Sequence, residues 1–152
     1  MSRSPFQVLV IPFRTVGRQQ EFCLFYRRVE QFWHFICGGG EDGESIVDAA
    51  YREAAEEAGL DRAIPWYRLD TVAPIPVYHF PDEMHWPDGT YVIPEHYFAV
   101  DATGRDIVLS DEHTEFCWVD AATAMKLLYW DVNKTGLWEL CRRLEENDLA
   151  PI

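Results

Sequence analysis

The chain has 152 residues, of which 48% are hydrophobic, and it carries a formal net charge of −13. This apolar content excludes a disordered chain and predicts one domain over residues 1–152 with a sizeable core. The acidity argues against general binding to nucleic-acid polymers or to anionic membranes, because both repel a negatively charged surface.

The cellular setting is predicted from three absences in the sequence. No run approaches the roughly 18 apolar residues of a membrane span, and the first residues lack a signal-peptide cleavage pattern. The cysteines (Cys23, Cys37, Cys117 and Cys141) form no C-x-x-C pair, so we expect reduced thiols and no zinc site. These features predict a cytoplasmic protein and leave a homodimer open.

The chain begins with a predicted hairpin. Residues 6–13 form an apolar run with Val and Ile that predicts a buried strand, and residues 21–28 alternate like a strand, with a turn at 17–20 between them. Pro12 predicts an edge or a bulge near the end of the first strand. A short strand at 33–37 then leads into a predicted loop formed by the three glycines Gly38, Gly39 and Gly40.

A helix is predicted after the glycines, capped by Ser45 with Asp48 as a weak capping box, and ended by Gly59. At about 100° per residue, Glu53, Glu56 and Glu57 share one arc of this helix. A separate apolar stripe of the helix faces a sheet and consists of Val47, Tyr51, Ala54 and Ala58.

Three like charges on one arc repel each other, and a divalent cation among them relieves the repulsion. Carboxylate oxygens suit Mg²⁺, with Mn²⁺ as the alternative. Arg52 precedes Glu56 by four residues and is placed to form an ion pair with it. For an isolated E-x-x-E-E string, a solvated acidic helix face is the competing interpretation.

The complete string resembles the Nudix box. It consists of Gly38, five residues, Glu44, seven residues and then residues 52–60, REAAEEAGL. Every fixed position is met, and only Ala54 is smaller than the usual aliphatic residue. The resemblance implies an α/β/α sandwich with a mixed β-sheet between helices, and metal-dependent hydrolysis of a phosphoanhydride bond.

In the second half of the chain, the sequence predicts a strand at 66–78 that is broken by Pro74 and Pro76. A long loop at 79–90 follows and is expected to cover the substrate, and a strand is predicted at 91–101. A charged loop at 110–115 and a strand at 116–119 follow. Two helices are predicted at 121–130, capped by Asp120, and at 133–147.

The resemblance assigns site residues one by one. The metal ligands are Glu53, Glu56, Glu57, Glu95 and the main-chain carbonyl of Cys37 or Gly38. Glu53 is the first choice as general base, and Arg52 orients Glu56. Glu112 or Glu115 is an alternative base, although a solvent-exposed position is the preferred interpretation of both. Glu44 is expected to hold the glycine loop by hydrogen bonds. The predicted substrate-binding residues are Arg27, Arg28, Trp33 and Glu95, with Arg27 favoured over Arg28 for a phosphate.

Outside the box, the chain is similar to bacterial Nudix pyrophosphohydrolases acting on dATP or dihydroneopterin triphosphate. This similarity implies a small nucleotide-type substrate that is converted to a monophosphate and pyrophosphate. ADP-ribose or a nucleotide sugar is the second choice of substrate, and a dinucleoside polyphosphate is the third. A non-catalytic nucleotide sensor and an acidic scaffold protein are the alternatives outside the hydrolases.

Overall fold

The computed structural model describes residues 3–82, 84–111 and 113–152. One of the two alternative bases, Glu112, lies outside these residues. Over the described residues the chain forms eight strands: β1 (Arg3–Val16), β2 (Gln19–Arg27), β3 (Phe32–His34), β4 (Ile36–Glu41), β5 (Trp66–Pro76), β6 (Val92–Asp101), β7 (His113–Val119) and β8 (Ala150–Pro151). The same residues contain three α-helices: α1 (Ile46–Ala58), α2 (Ala121–Leu127) and α3 (Asp131–Glu146).

The strands form one mixed sheet in the order β3-β2-β1-β6-β5-β8, with β4 also paired to β1 and β7 to β2. β1 runs parallel to β6 and antiparallel to β2 and β4. Pro12 therefore lies inside a central strand, and the prediction that it marks an edge of the sheet is wrong. The pairing with β4 ends at Val10 and the pairing with β2 begins at Phe13, so Pro12 falls where β1 changes partner.

Alternation along β1 divides the core into two layers. Val8 and Val10 face α1, whereas Leu9 and Ile11 face α2 and α3. Both sets are at most 1% exposed, as expected for a strand covered on its two faces. The predicted α/β/α sandwich with a mixed sheet is confirmed.

The glycines at 38–40 lie in β4, and Gly38 and Gly39 pair with β1, so the predicted glycine loop is wrong. Glycine weakens an isolated strand, but here the absence of side chains admits neighbours. A Cβ on Gly38 would overlap the Glu53 carboxyl group, and one on Gly40 would overlap the ring of Phe6. These glycines therefore serve close packing.

Helix α1 has the predicted ends. The Ser45 side chain accepts a hydrogen bond from the Asp48 N–H at 3.1 Å, and Gly59 ends the helix with a φ of 69°. The buried face only partly matches the predicted stripe: Ala54 and Ala58 are buried, but Val47 and Tyr51 are only partly buried. Ala49, Ala50 and Glu57 are buried in addition. α1 thus presents part of its acidic arc to the interior.

In the second half of the chain, the observed strands differ from the predicted ones because residues far apart in sequence pair with each other. β5 continues through Pro74, which lies opposite Pro94 of β6, instead of breaking there. β8 was not predicted, and it pairs with β5 at Tyr67 and Arg68. β7 begins at His113, earlier than expected, and the described part of the segment 79–90 is largely irregular. No helix within the described residues is long and apolar enough to cross a membrane.

Candidate active site

A cavity of about 830 Å³ lies where β1, β4 and β6 meet α1 and the start of α3. Of the glutamates that line it, Glu53 and Glu57 come from α1 and Glu95 comes from β6. Arg27, at the end of β2, also lines the cavity. The sheet and the helix thus bring several carboxylates and guanidinium groups to one cavity.

Glu57 is a buried acidic side chain held by the backbone. It lies on the inward face of α1 and is only 3% exposed. Its Oε2 accepts a hydrogen bond from the backbone N–H of Cys37 at 3.2 Å, which joins the helix to β4. Burial without that bond would be costly for a charged group, so the N–H fixes the position of the carboxylate.

Glu53 occupies the space left by the missing side chain of Gly38. Its Oε1 accepts a hydrogen bond from Nη1 of Arg52 at 2.9 Å. Glu53 remains partly accessible, unlike Glu57 one turn along the helix. A partly accessible carboxylate beside a cavity can exchange a proton with a small molecule.

Arg52 connects the acidic groups around the start of α1. It donates to Glu44 at 2.9 and 3.0 Å and to the Gly39 carbonyl oxygen at 2.8 Å. Its hydrogen bond to Glu44 holds the pKa of that carboxyl group below its usual value. Glu56 is a more distant partner at 3.3 Å, so Arg52 contacts Glu44 and Glu53 more closely than the residue it was expected to orient.

Glu44 also accepts a hydrogen bond from the backbone N–H of Glu41 at 2.9 Å. Its contacts with Glu41 and Arg52 tie the end of β4 to α1. Glu44 is therefore part of the framework that holds the glycine-containing strand, in keeping with the structural role expected for it.

Glu95 lies on β6 in register with Gln7 of β1 and is 6% exposed. Burial raises its pKa to about 7, and a hydrogen bond with Tyr97 acts in the opposite direction. Tyr97 in turn accepts a hydrogen bond from Nδ2 of Asn133 at 3.0 Å. A short polar chain thus runs from Glu95 to the start of α3.

Several predicted site residues lie away from the cavity wall. The Glu56 side chain is 58% exposed. Glu115 and Arg28 are exposed, and neither is among the described residues that line the cavity. The Trp33 ring packs edge-on against Tyr26 at 5.2 Å and also does not belong to that lining.

Arg27 does line the cavity, and it forms an ion pair with Glu30 at 3.2 Å. Phe32, which pairs with Arg27 across the adjacent strands, lines the cavity, whereas the predicted substrate-binding residue Trp33 does not. Phe32 stacks on Tyr129 at 5.0 Å and meets the Trp130 ring edge-on at 5.8 Å. His79 and Phe80, from the predicted overhanging loop, complete this aromatic wall.

Asn133 lies at the site but is not among the predicted site residues, although the sequence contains a signal for it. Asn133 stands four residues before Leu137, so it continues the apolar stripe of α3 with a polar side chain. It is 3% exposed and lines the cavity. A buried amide on an otherwise apolar stripe indicates a specific polar partner.

The donor chemistry of the cavity fits a divalent cation. Glu53, Glu57 and Glu95 offer hard carboxylate oxygens of the kind preferred by Mg²⁺ and Mn²⁺, and the main chain of Gly38 lies beside Glu53. Among the described residues, no three His, Cys, Asp or Glu side chains are already grouped tightly enough to hold an ion. A bound cation would therefore require these carboxylates to move closer together.

Comparison with known proteins gives a family match over most of the chain. The model of the NUDIX domain matches residues 4–138. A protein named octanoyltransferase from Myxococcus xanthus is 34% identical over 143 residues. That match covers 87% of this chain but only 36% of the longer protein, so the chain spans about a third of its curated relative.

Solved structures agree with the family match. A protein assigned as a NUDIX hydrolase from Listeria monocytogenes is 44% identical, with a TM-score of 0.88 over 98% of this chain and 100% of that one. An Ap4A hydrolase from C. elegans has a TM-score of 0.75 at 19% identity, covering 94% and 99% of the two chains. The E. coli dihydroneopterin triphosphate pyrophosphohydrolase has a TM-score of 0.70 at 23% identity, covering 90% and 94%. At these low sequence identities, the last two matches show a shared fold only.

Proposed function

The chain belongs to the NUDIX domain family, and from that premise we propose that it hydrolyses a phosphoanhydride bond in a small nucleotide-type substrate, assisted by a divalent metal. The observation that carries this proposal is the convergence of Glu53, Glu57 and Glu95 on one cavity lined also by Arg27. Enzymes of this family generally use divalent metals, and we propose Mg²⁺, with Mn²⁺ as the alternative.

The residues that would hold the metal are Glu53, Glu57 and Glu95, with the Gly38 carbonyl as a further oxygen. Glu56 joins this set only if its carboxylate leaves Arg52 and turns inward. When bound, the cation would neutralise the anionic oxygens of the anhydride and act as a Lewis acid.

The protein's own side chains would contribute positioning and proton transfer. Glu53 is the proposed general base, because it is partly accessible at the cavity and can accept a proton from an attacking water. Arg52 restrains Glu53 through its hydrogen bond, and the Cys37 N–H restrains Glu57. Arg27 is placed to pair with a substrate phosphate if it exchanges Glu30 for the ligand.

For the substrate we propose a triphosphate, either a (d)NTP or dihydroneopterin triphosphate, cut to the monophosphate and pyrophosphate. The aromatic wall of the cavity, which includes Phe32 and Trp130, supports a planar ring in the substrate. The fold likeness to the E. coli dihydroneopterin triphosphate enzyme accords with this choice, and the likeness to the C. elegans Ap4A hydrolase leaves dinucleoside polyphosphates as competitors.

The proposal is tested by analysing products from a panel of compounds with Mg²⁺ or Mn²⁺. The panel holds dNTPs, dihydroneopterin triphosphate, ADP-ribose, nucleotide sugars and dinucleoside polyphosphates. We expect wild-type protein to release pyrophosphate from a triphosphate, and a folded Glu57→Gln variant to release none. Two phosphorylated halves from another compound would move the substrate to that class. Binding without cleavage by metal-loaded protein would instead favour a nucleotide sensor.

A further inference from the structure

The side-chain amide of Asn133 forms a hydrogen bond within the protein through its nitrogen but not through its oxygen. Its Nδ2 donates to the Tyr97 hydroxyl oxygen at 3.0 Å, while its Oδ1 is buried without a hydrogen-bond partner among the described residues. A buried carbonyl oxygen without a partner is costly, and such groups usually have a water or a ligand to bind. Asn133 is 3% exposed and lines the cavity.

The orientation of this amide is fixed by its neighbours. Tyr97 hydrogen bonds to Glu95 as well as to Asn133. A hydroxyl group has one hydrogen to donate, and Glu95 in its ionised form can only accept it. The Tyr97 oxygen must then accept from the amide NH₂ of Asn133, which leaves Oδ1 as the free end.

Close packing holds this arrangement in place. Gly136 lies three residues after Asn133 on α3, and a Cβ there would overlap the ring of Tyr97. The glycine therefore allows α3 to approach β6 closely enough for Asn133 to reach the Tyr97 hydroxyl. The amide is set by two elements of the scaffold, which favours specific recognition over chance burial.

Aromatic rings lie beside the amide. Trp130 is the residue just before α3, and its carbonyl oxygen accepts from the backbone N–H of Asn133 at 3.1 Å. Trp130 also lines the cavity, is 38% exposed, and contacts Phe32 and His79. Trp130 and Asn133 thus line the cavity together at the start of α3.

We propose that Oδ1 of Asn133 accepts a hydrogen bond from an N–H on the ring edge of the substrate, while Trp130 and Phe32 pack against the ring. The ligand class is a heterocycle with an amino group on its edge, such as an aminopurine, an aminopyrimidine or a pterin. This inference rests on the proposed function and extends it, since it assigns the specificity for the ring to a residue outside the Nudix box.

The test measures ring discrimination by calorimetric binding of nucleoside monophosphates in metal-free buffer. Each pair differs by one amino group: AMP against purine riboside monophosphate, GMP against IMP, and CMP against its 4-deamino analogue. In at least one pair, wild-type protein is expected to bind the amino form roughly tenfold or more tightly. Asn133→Leu should reduce that ratio to about twofold or less, whereas Thr135→Val, at an exposed site on α3, should retain it.

A ratio that survives Asn133→Leu in folded protein overturns the inference and leaves a buried water as the partner of Oδ1. Absence of discrimination, or of any binding, by wild-type protein overturns it as well. The proposed function fails separately. Ring discrimination that depends on Asn133 in a protein that cleaves no phosphoanhydride would support the recognition site and refute the hydrolase.

Discussion

The backbone N–H of Cys37 donates a hydrogen bond to the Glu57 carboxylate over 3.2 Å, linking β4 to α1 at the wall of the cavity. Glutamine at position 57 retains an oxygen that can accept this bond but loses the negative charge. We therefore expect Glu57→Gln to fold with a melting temperature near that of wild type and to lose at least about a hundredfold in kcat.

The matched control is Glu145→Gln, an exposed glutamate on α3 that pairs with Arg142 at 3.4 Å. It should leave both kcat and the melting temperature unchanged. Turnover close to wild type by folded Glu57→Gln would remove this carboxylate from the reaction.

Arg52 is expected to matter for stability as well as for the site. Lysine cannot reproduce the forked contacts that the guanidinium makes with Glu44, Glu53 and the Gly39 carbonyl oxygen. We expect Arg52→Lys to lower the free energy of unfolding by about 1–3 kcal/mol, measured by urea denaturation. Arg142→Lys, at an exposed helix position, should change it by less than about 0.5 kcal/mol, and equal losses would contradict the role of Arg52.

Substitutions of two glycines in β4 are expected to affect different properties, one lowering activity and the other lowering stability. The Cβ of Gly38→Ala would displace the carboxyl end of the flexible Glu53 side chain, so kcat should fall while the melting temperature changes little. The Cβ of Gly40→Ala would instead meet the ring of Phe6, which packs on the α1 layer, and should cost about 1–3 kcal/mol of stability. Parallel kinetics and thermal unfolding measure both, and the reverse pattern would contradict the packing described.

His34 predicts a pH dependence of stability. Burial, with Arg27 and His113 nearby, lowers its pKa to about 3, against about 6.5 when unfolded. The neutral folded form is therefore fully favoured above pH 6.5, and its stability is lost progressively as the pH falls from there towards 3. At pH 5 this group alone should reduce the free energy of unfolding by about 2 kcal/mol relative to pH 7.

The measurement is urea denaturation at pH 5 and 7 for wild type and His34→Gln. Glutamine does not titrate, so the variant should lose less stability between these pH values than wild type does. His85→Gln, at an exposed site, should retain the wild-type difference. Identical pH dependence in wild type and His34→Gln would show that His34 is not held neutral.

Metal addition should stabilise the protein, because it relieves the repulsion among Glu53, Glu57 and Glu95. At a concentration a hundred times its Kd, an ion that binds only the folded state adds about 2.7 kcal/mol. We expect Mg²⁺ or Mn²⁺ to raise the melting temperature of wild type and to have a smaller effect on Glu95→Gln. Equal shifts in the two proteins would place the ion elsewhere.

Much of the site could be predicted because its key residues are close in sequence. The ends of α1 depend on Ser45 and Gly59, which act through contacts a few residues away, and helical periodicity places Glu53 and Glu57 on one arc. The mixed sheet between helices also agreed with expectation. The chemical roles of these glutamates, the single domain and the homodimer stay predictions.

Sequence by itself therefore determined the family, the helix that bears the carboxylates and the alternation of the hairpin, since local spacing controls each of them. Tertiary structure decided which groups share the cavity. It turns Glu57 inward and leaves Glu56 exposed, puts Phe32 at the cavity in place of Trp33, and brings Asn133 to Tyr97. Those relationships depend on how distant strands and helices pack, and no spacing within one segment encodes them.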